Sequence, residues 1–171
     1  MNPVNDMHVA IIRYFTAEKR ESLLFMLVGM AAIVAAVFLW RTGSPYRGMG
    51  YPLVAIALIQ LVAGGTVYFR TDAQMLGLHK QLASEPRVYV AAEAPRMEKV
   101  QRSFVVYRWV EIALLALGVL GYFLLRDRQT LWAVSLGLML QSALMLALDF
   151  FAERRAETYV ERIRALADRL G

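Results

Sequence analysis

Four long apolar stretches constrain this chain more than any other feature of its sequence. They cover residues 22–40, 51–69, 104–125 and 131–151. Each is close to the ~20 residues that an α-helix needs to cross the ~30 Å hydrocarbon layer of a bilayer. Hydrophobic residues make up 58% of the 171 residues, more than in most soluble domains. We therefore predict an all-α integral membrane protein with a four-transmembrane-helix bundle.

Basic residues are distributed unevenly around these stretches. The two short loops at 41–50 and 126–130 hold only four of the 19 Lys and Arg residues. The positive-inside rule therefore places both termini and the middle segment in the cytoplasm, across a plasma membrane that we expect to be a bacterial inner membrane. The first stretch is expected to be an uncleaved signal anchor. The net charge of +5 then reflects topology and contact with anionic lipid headgroups, not nucleic acid binding.

The segments that flank the apolar stretches carry helical periodicity. Residues 5–21, 70–84 and 152–170 read as amphipathic helices, and the third apolar stretch has an extension beginning at residue 97. The C-terminal stripe has spacings of 3, 4, 3 and 4 and consists of Ala156, Tyr159, Ile163, Leu166 and Leu170. Such stripes either bury one another in a cytosolic bundle or lie flat on the headgroups. We expect the bundle, because the helical phase continues from the apolar stretches without a break.

One segment lacks this pattern. Residues 85–96 contain Pro86 and Pro95 and are predicted to be a linker between the second and third apolar stretches. Its RVYVAA sequence is compatible with a short extended segment. The whole chain is expected to form a single membrane domain.

The two halves of the chain resemble each other weakly. A shift of 81 residues places Gln60 on Gln141, and a shift of 90 places Glu21 on Glu111. Each half reads as an amphipathic helix, two spans joined by a short turn, and a second amphipathic helix. Either a tandem duplication of a two-span hairpin or chance explains this. Halves with an even number of spans would be related by an axis along the membrane normal.

Gln60 and Gln141 lie near the midpoints of their apolar stretches. An unpaired amide in hydrocarbon costs several kcal/mol. The two side chains therefore either line a polar path or form a hydrogen bond between helices. If the halves are symmetric, the two amides meet directly or through one water, and neither faces lipid.

Four charged residues interrupt the inner ends of the apolar stretches: Glu21, Arg108, Glu111 and Asp149. Arg108 and Glu111 are three residues apart, on one helix face. One interpretation is interfacial ion pairs and side chains that extend towards the headgroups. The other is a site for a proton or a cation.

The sequence offers little for catalysis. It has no cysteine, its two histidines lie outside the apolar stretches, and no nucleophile elbow, phosphate-binding loop or metal-ligand spacing occurs. We expect no cofactor, no metal and no enzymatic activity. The favoured function is a non-catalytic membrane interaction protein, such as a scaffold, an accessory subunit or a partner-binding protein with a cytosolic helical surface. It is expected to form a homo-oligomer or to bind a membrane protein. The alternative is a small oligomeric channel or transporter that uses Gln60, Gln141, Glu21 and Glu111.

Overall fold

A computed structural model describes residues 3–170, and these residues are almost entirely helical. The four long helices are α1 (Pro3–Arg41), α2 (Gly50–Ser84), α3 (Pro86–Leu124) and α4 (Gln129–Leu170). A short 3-10 helix at Arg47–Met49 precedes α2. Each long helix contains a stretch that is long and apolar enough to cross a membrane. The predicted all-α architecture with four candidate spans is confirmed.

The helices are arranged as two hairpins. α1 packs mainly on α2, and α3 packs mainly on α4. A glycine permits close helix approach in each hairpin. A Cβ at Gly64 of α2 would lie 2.8 Å from Cγ of Met26, and a Cβ at Gly118 of α3 would lie 2.7 Å from Cγ of Met139. Small residues at such contacts let two helix backbones pack tightly.

The hairpins meet at the end of the molecule that carries the two short loops. A Cβ at Gly137 of α4 would lie 2.8 Å from the carbonyl oxygen of Met49 and 2.8 Å from Cγ of Pro52. Gly48 likewise lies against Thr130. The absence of side chains at these two glycines thus lets the start of α4 contact the 3-10 turn that precedes α2.

At the opposite end, all four helices share a hydrophobic core that we call the basal bundle. It is built from Met7, Ile11, Tyr14, Phe15, Leu82, Tyr89, Met97, Ala156, Tyr159, Val160, Ile163 and Leu166. Met75 and Leu78 pack against its edge. The prediction that the amphipathic stripes bury one another is confirmed. These stripes are therefore not exposed to a partner, in contrast to the surface on which the favoured function was based.

The prediction of a linker at residues 85–96 was wrong, because this segment is helical from Pro86 onwards. Glu85 is the only residue between α2 and α3 that lies outside a helix, and α3 continues through Pro95. Pro86 suits the first helical turn, where its missing N–H leaves no bond unmade. Pro95 lies in the interior of α3, where proline costs ~3 kcal/mol. Tyr89, Glu93 and Met97 are fully buried on one face of this segment. The apolar surface that Tyr89 and Met97 bury offsets that cost.

Candidate functional site

Two glutamine amides meet in the interior of the apolar part of the bundle. Gln60 of α2 is 0% exposed and Gln141 of α4 is 1% exposed. Nε2 of Gln141 donates a hydrogen bond to Oε1 of Gln60 at 2.8 Å. The prediction was that the two amides meet directly or through one water, and the structure shows a direct hydrogen bond. The second polar atom of each amide, Nε2 of Gln60 and Oε1 of Gln141, has no hydrogen-bond partner within residues 3–170.

Two of the four charged residues take part in ion pairs between helices. Glu21 of α1 accepts a hydrogen bond from the guanidinium of Arg155 on α4. Arg108 of α3 pairs with Glu153 of α4 at 2.9 Å, and not with Glu111 on its own helix. Ion pairing therefore accounts for Glu21 and Arg108, in agreement with the simpler of the two interpretations.

Glu111 and Asp149 have a different environment. Glu111 is 2% exposed, and neither of its carboxyl oxygens has a hydrogen-bond partner in the part of the chain that the structure describes. The carboxyl of Asp149 on α4 lies beside it, close enough for the two groups to interact. An unpaired carboxylate buried away from water is costly. This pair is therefore suited to holding a proton or a cation.

A cleft of about 720 Å³ lies between the two hairpins, on the basal side of the glutamine pair. Its polar end contains Glu18, Glu21, Arg70, Arg96, Lys99 and Arg155. Its apolar end contains Leu24, Phe25, Val67, Phe104, Tyr107, Leu148 and Phe151, with Asp149 at the boundary. Leu24, Tyr107 and Phe151 are 47%, 54% and 63% exposed, which shows that the apolar end is open to the side of the molecule.

Several charges that line the cleft already have partners. Arg155 binds Glu21, and Arg96 forms two hydrogen bonds with the Glu93 carboxylate at 2.6 and 2.7 Å. Glu18 accepts a hydrogen bond from Thr71 at 3.3 Å. Within residues 3–170, no ion pair forms at Arg70 or Lys99. These two cations at the polar end are therefore available to a ligand.

A buried polar network lies in the basal bundle, next to the polar end of the cleft. The hydroxyls of Tyr89 and Tyr159 are 2.8 Å apart, and the Tyr159 hydroxyl also donates to Oε1 of Glu93 at 3.1 Å. Burial raises the pKa of both tyrosines, and the neighbouring Glu93 carboxylate acts in the same direction. The ring of Tyr14 stacks on the ring of Tyr159, with 4.4 Å between the ring centroids. Burial, with the charge of Glu18, raises the pKa of Tyr14 to about 12.

Sequence reasoning missed most of this network. Glu93 and Arg96 belong to the segment predicted to be a linker, and the spacing of Tyr159 indicates only an apolar stripe. One signal was present: Tyr89, Glu93 and Met97 are spaced by four residues, which is helical spacing. The charge at Glu93 interrupted the apolar pattern and hid it.

Arg155 connects the cleft to a second, smaller cavity. That cavity, of about 440 Å³, lies between α1 and α4, and its lining includes Arg13, Arg155 and Arg162. The guanidinium of Arg155 also lies over the ring of Tyr14, 5.1 Å from its centroid. Arg155 therefore forms the ion pair with Glu21, lies over the aromatic stack and lines both cavities.

The two histidines meet at the edge of the basal bundle. Nδ1 of His8 on α1 and Nδ1 of His79 on α2 are 2.7 Å apart, and the rings are stacked. Both residues lie outside the apolar stretches, as the sequence indicated, and their contact joins α1 to α2. Partial burial and the nearby His8 ring lower the pKa of His79.

Neither a metal site among residues 3–170 nor a similar known protein gives a further indication of function. Within residues 3–170, no three His, Asp or Glu side chains lie close enough together to hold a metal ion. Comparisons with protein-family models, with curated proteins and with solved structures found no match to this chain.

Proposed function

We propose that this chain is a non-catalytic integral membrane protein that binds an amphipathic partner in the cleft between its two hairpins. The observation that supports this proposal is the shape and lining of the cleft. It has charged groups at one end, apolar groups at the other and an opening to the side. Cavities that bind ligands combine an apolar lining with a few polar groups that fix orientation. The cleft therefore takes the role that the sequence suggested for an exposed helical surface.

In this proposal the basal bundle lies in the cytoplasm, and the four apolar stretches cross a bacterial inner membrane. The excess of Lys and Arg on the basal side supports that orientation. The cleft is then at the level of the inner headgroups. Self-association, or binding to another membrane protein, fits a scaffold or an accessory subunit.

The test uses the absence of cysteine from the chain. Ser103 lines the cleft, and Ser84 is exposed at the end of α2. In native membranes, Ser103→Cys should react slowly with a membrane-permeant maleimide, because an occupant covers it. After purification and delipidation in detergent, the same thiol should react quickly.

Ser84→Cys is the control and should react at the same rate in both preparations. Equal reaction of Ser103→Cys before and after delipidation would contradict an occupied cleft.

A second candidate function is transport of protons or cations, and Glu111 supports it. Its buried carboxyl has no hydrogen-bond partner within residues 3–170, and it lies beside Asp149, which lines the cleft. A proton or cation that enters the cleft therefore has a short route to Glu111. This candidate expects proton flux in proteoliposomes that Glu111→Gln abolishes. Equal flux in the parent and in empty liposomes would exclude it.

A further inference from the structure

We infer that the occupant of the cleft is an amphiphile with an anionic head and an apolar tail, the chemistry of an anionic membrane lipid. This inference rests on the proposed function and adds the class of ligand. The head lies between Arg70 of α2 and Lys99 of α3. The tail lies along the apolar end of the cleft, between α1 and the α3/α4 hairpin.

The sign of the head follows from which charges are free. Arg155 and Arg96 are neutralised by Glu21 and by Glu93. Asp149 lies at the boundary between the two ends, beside Glu111. Arg70 and Lys99 form no ion pair within residues 3–170. Glu18 lines the same end, also outside any ion pair in these residues, and accepts a hydrogen bond from Thr71. Two cations against one carboxylate leave a surplus of positive charge that favours an anion, and an Arg and a Lys are suited to a phosphate or a carboxylate.

The need for a tail follows from the apolar end of the cleft. Phe25 of α1 and Phe104 of α3 line it from opposite hairpins. The opening beside Phe151, which is 63% exposed, leads out of the bundle sideways. Water in such an apolar space lacks the polar partners that hold it. An acyl chain fills the space and continues into the surrounding bilayer.

The position of the cleft agrees with a lipid. Arg70 directly follows the second apolar stretch, and Lys99 precedes the third by five residues. Both cations therefore lie just beyond the apolar part of the helices, at the level where headgroup phosphates lie. A soluble anion would use the same cations but would leave the apolar end unfilled.

The test measures binding to the delipidated protein in detergent by native mass spectrometry. The probes are phosphatidylglycerol, phosphatidylcholine with the same acyl chains, and glycerol phosphate. We expect phosphatidylglycerol to bind best, with glycerol phosphate at least tenfold weaker. The double variant Arg70→Gln/Lys99→Gln should lose about tenfold in phosphatidylglycerol affinity. The matched double variant Lys80→Gln/Arg102→Gln removes exposed cations from the same two helices outside the cleft and should bind as the parent does.

Two variants separate the inference from the proposed function. Ser103→Trp fills the cleft, and Arg102→Trp places the same ring on the exposed side of α3. If the two lipids bind the parent equally and Ser103→Trp alone blocks both, the anionic head is wrong and the binding cleft stands. If glycerol phosphate binds as tightly as phosphatidylglycerol, the site takes a soluble anion and the inference is overturned. If Ser103→Trp changes the binding of no probe, both the inference and the proposed function are wrong.

Discussion

The amide pair of Gln60 and Gln141 makes one hydrogen bond, and one polar atom of each side chain has no partner among residues 3–170. Replacing one glutamine by Leu removes that bond and leaves the other amide buried and unpaired. Such a loss costs about 1–3 kcal/mol. Replacing both removes every buried polar atom at the contact. We therefore expect Gln60→Leu/Gln141→Leu to be at least as stable as the parent in detergent and each single variant to be less stable.

Thermal unfolding followed by circular dichroism measures this. The order of the three variants is what matters, because Leu is not isosteric with Gln. A double variant less stable than both single variants would contradict this expectation and show that the amide pair stabilises the fold by more than the cost of one unpaired amide.

The stacked histidines at the edge of the basal bundle predict a dependence of stability on pH. Burial and the neighbouring His8 lower the pKa of His79 in the folded protein below the 6.5 expected in the unfolded chain. The unfolded chain therefore takes up a proton first as the pH falls. The stabilising contribution is present at pH 8 and is lost as the pH falls below about 6.5. We expect the melting temperature to fall between pH 8 and pH 5.5, and His79→Gln to reduce that fall.

His8→Gln should reduce the fall as well, because the close contact between the two Nδ1 atoms leaves room for only one proton. If the parent and both variants show the same pH dependence, carboxyl groups cause the fall and the histidine contact contributes nothing.

At the scale of single helices, hydropathy and helical spacing predicted most of the fold. The four apolar stretches became four long helices, and the stripe from Ala156 to Leu166 became part of the basal core. The start of α3 was not predicted, because two prolines within ten residues are typical of a linker, whereas α3 begins at Pro86 and continues through Pro95. Prolines are local signals, whereas the burial of Tyr89 and Glu93 depends on Tyr159, which lies 70 residues from Tyr89 in the sequence. The spacing of residues within one helix does not reveal contacts between residues so far apart in the sequence.

The stripe of α4 gives a direct test of the basal bundle. Ile163 is 1% exposed in the core, whereas Ala165 is exposed on the same helix, two residues away. Ile163→Asp places a carboxylate in an apolar core and should cost several kcal/mol. Ala165→Asp adds the same charge at the surface and should change stability by less than about 0.5 kcal/mol. Chemical denaturation in detergent measures both changes. Equal stability of the two variants would place the stripe outside the core.

For the whole molecule, the two hairpins explain why part of the candidate site was predictable. The repeat with a shift of 81 predicted that Gln60 and Gln141 meet, and they do. The shift of 90 paired Glu21 with Glu111, but these two residues have different environments. Glu21 has Arg155 as a partner, whereas Glu111 is buried beside Asp149. The two hairpins thus have the same arrangement of helices, but their corresponding carboxyl groups have different environments. The tandem duplication stays a prediction.

The distribution of charge along the whole chain predicts how the molecule is oriented across a membrane. The loops at 41–50 and 126–130 lie at one end, and the basal bundle with most of the Lys and Arg lies at the other. We expect the loops to face outwards. Cysteines placed singly at Ser44 and Gln129 should react with a membrane-impermeant maleimide in intact cells. A cysteine at Ser84 should react only after the cells are opened, and that reaction also shows that the thiol is reactive. The reverse pattern would place the basal bundle, and with it the polar end of the cleft, on the outer face. Arg70 and Lys99 would then face outer-leaflet headgroups.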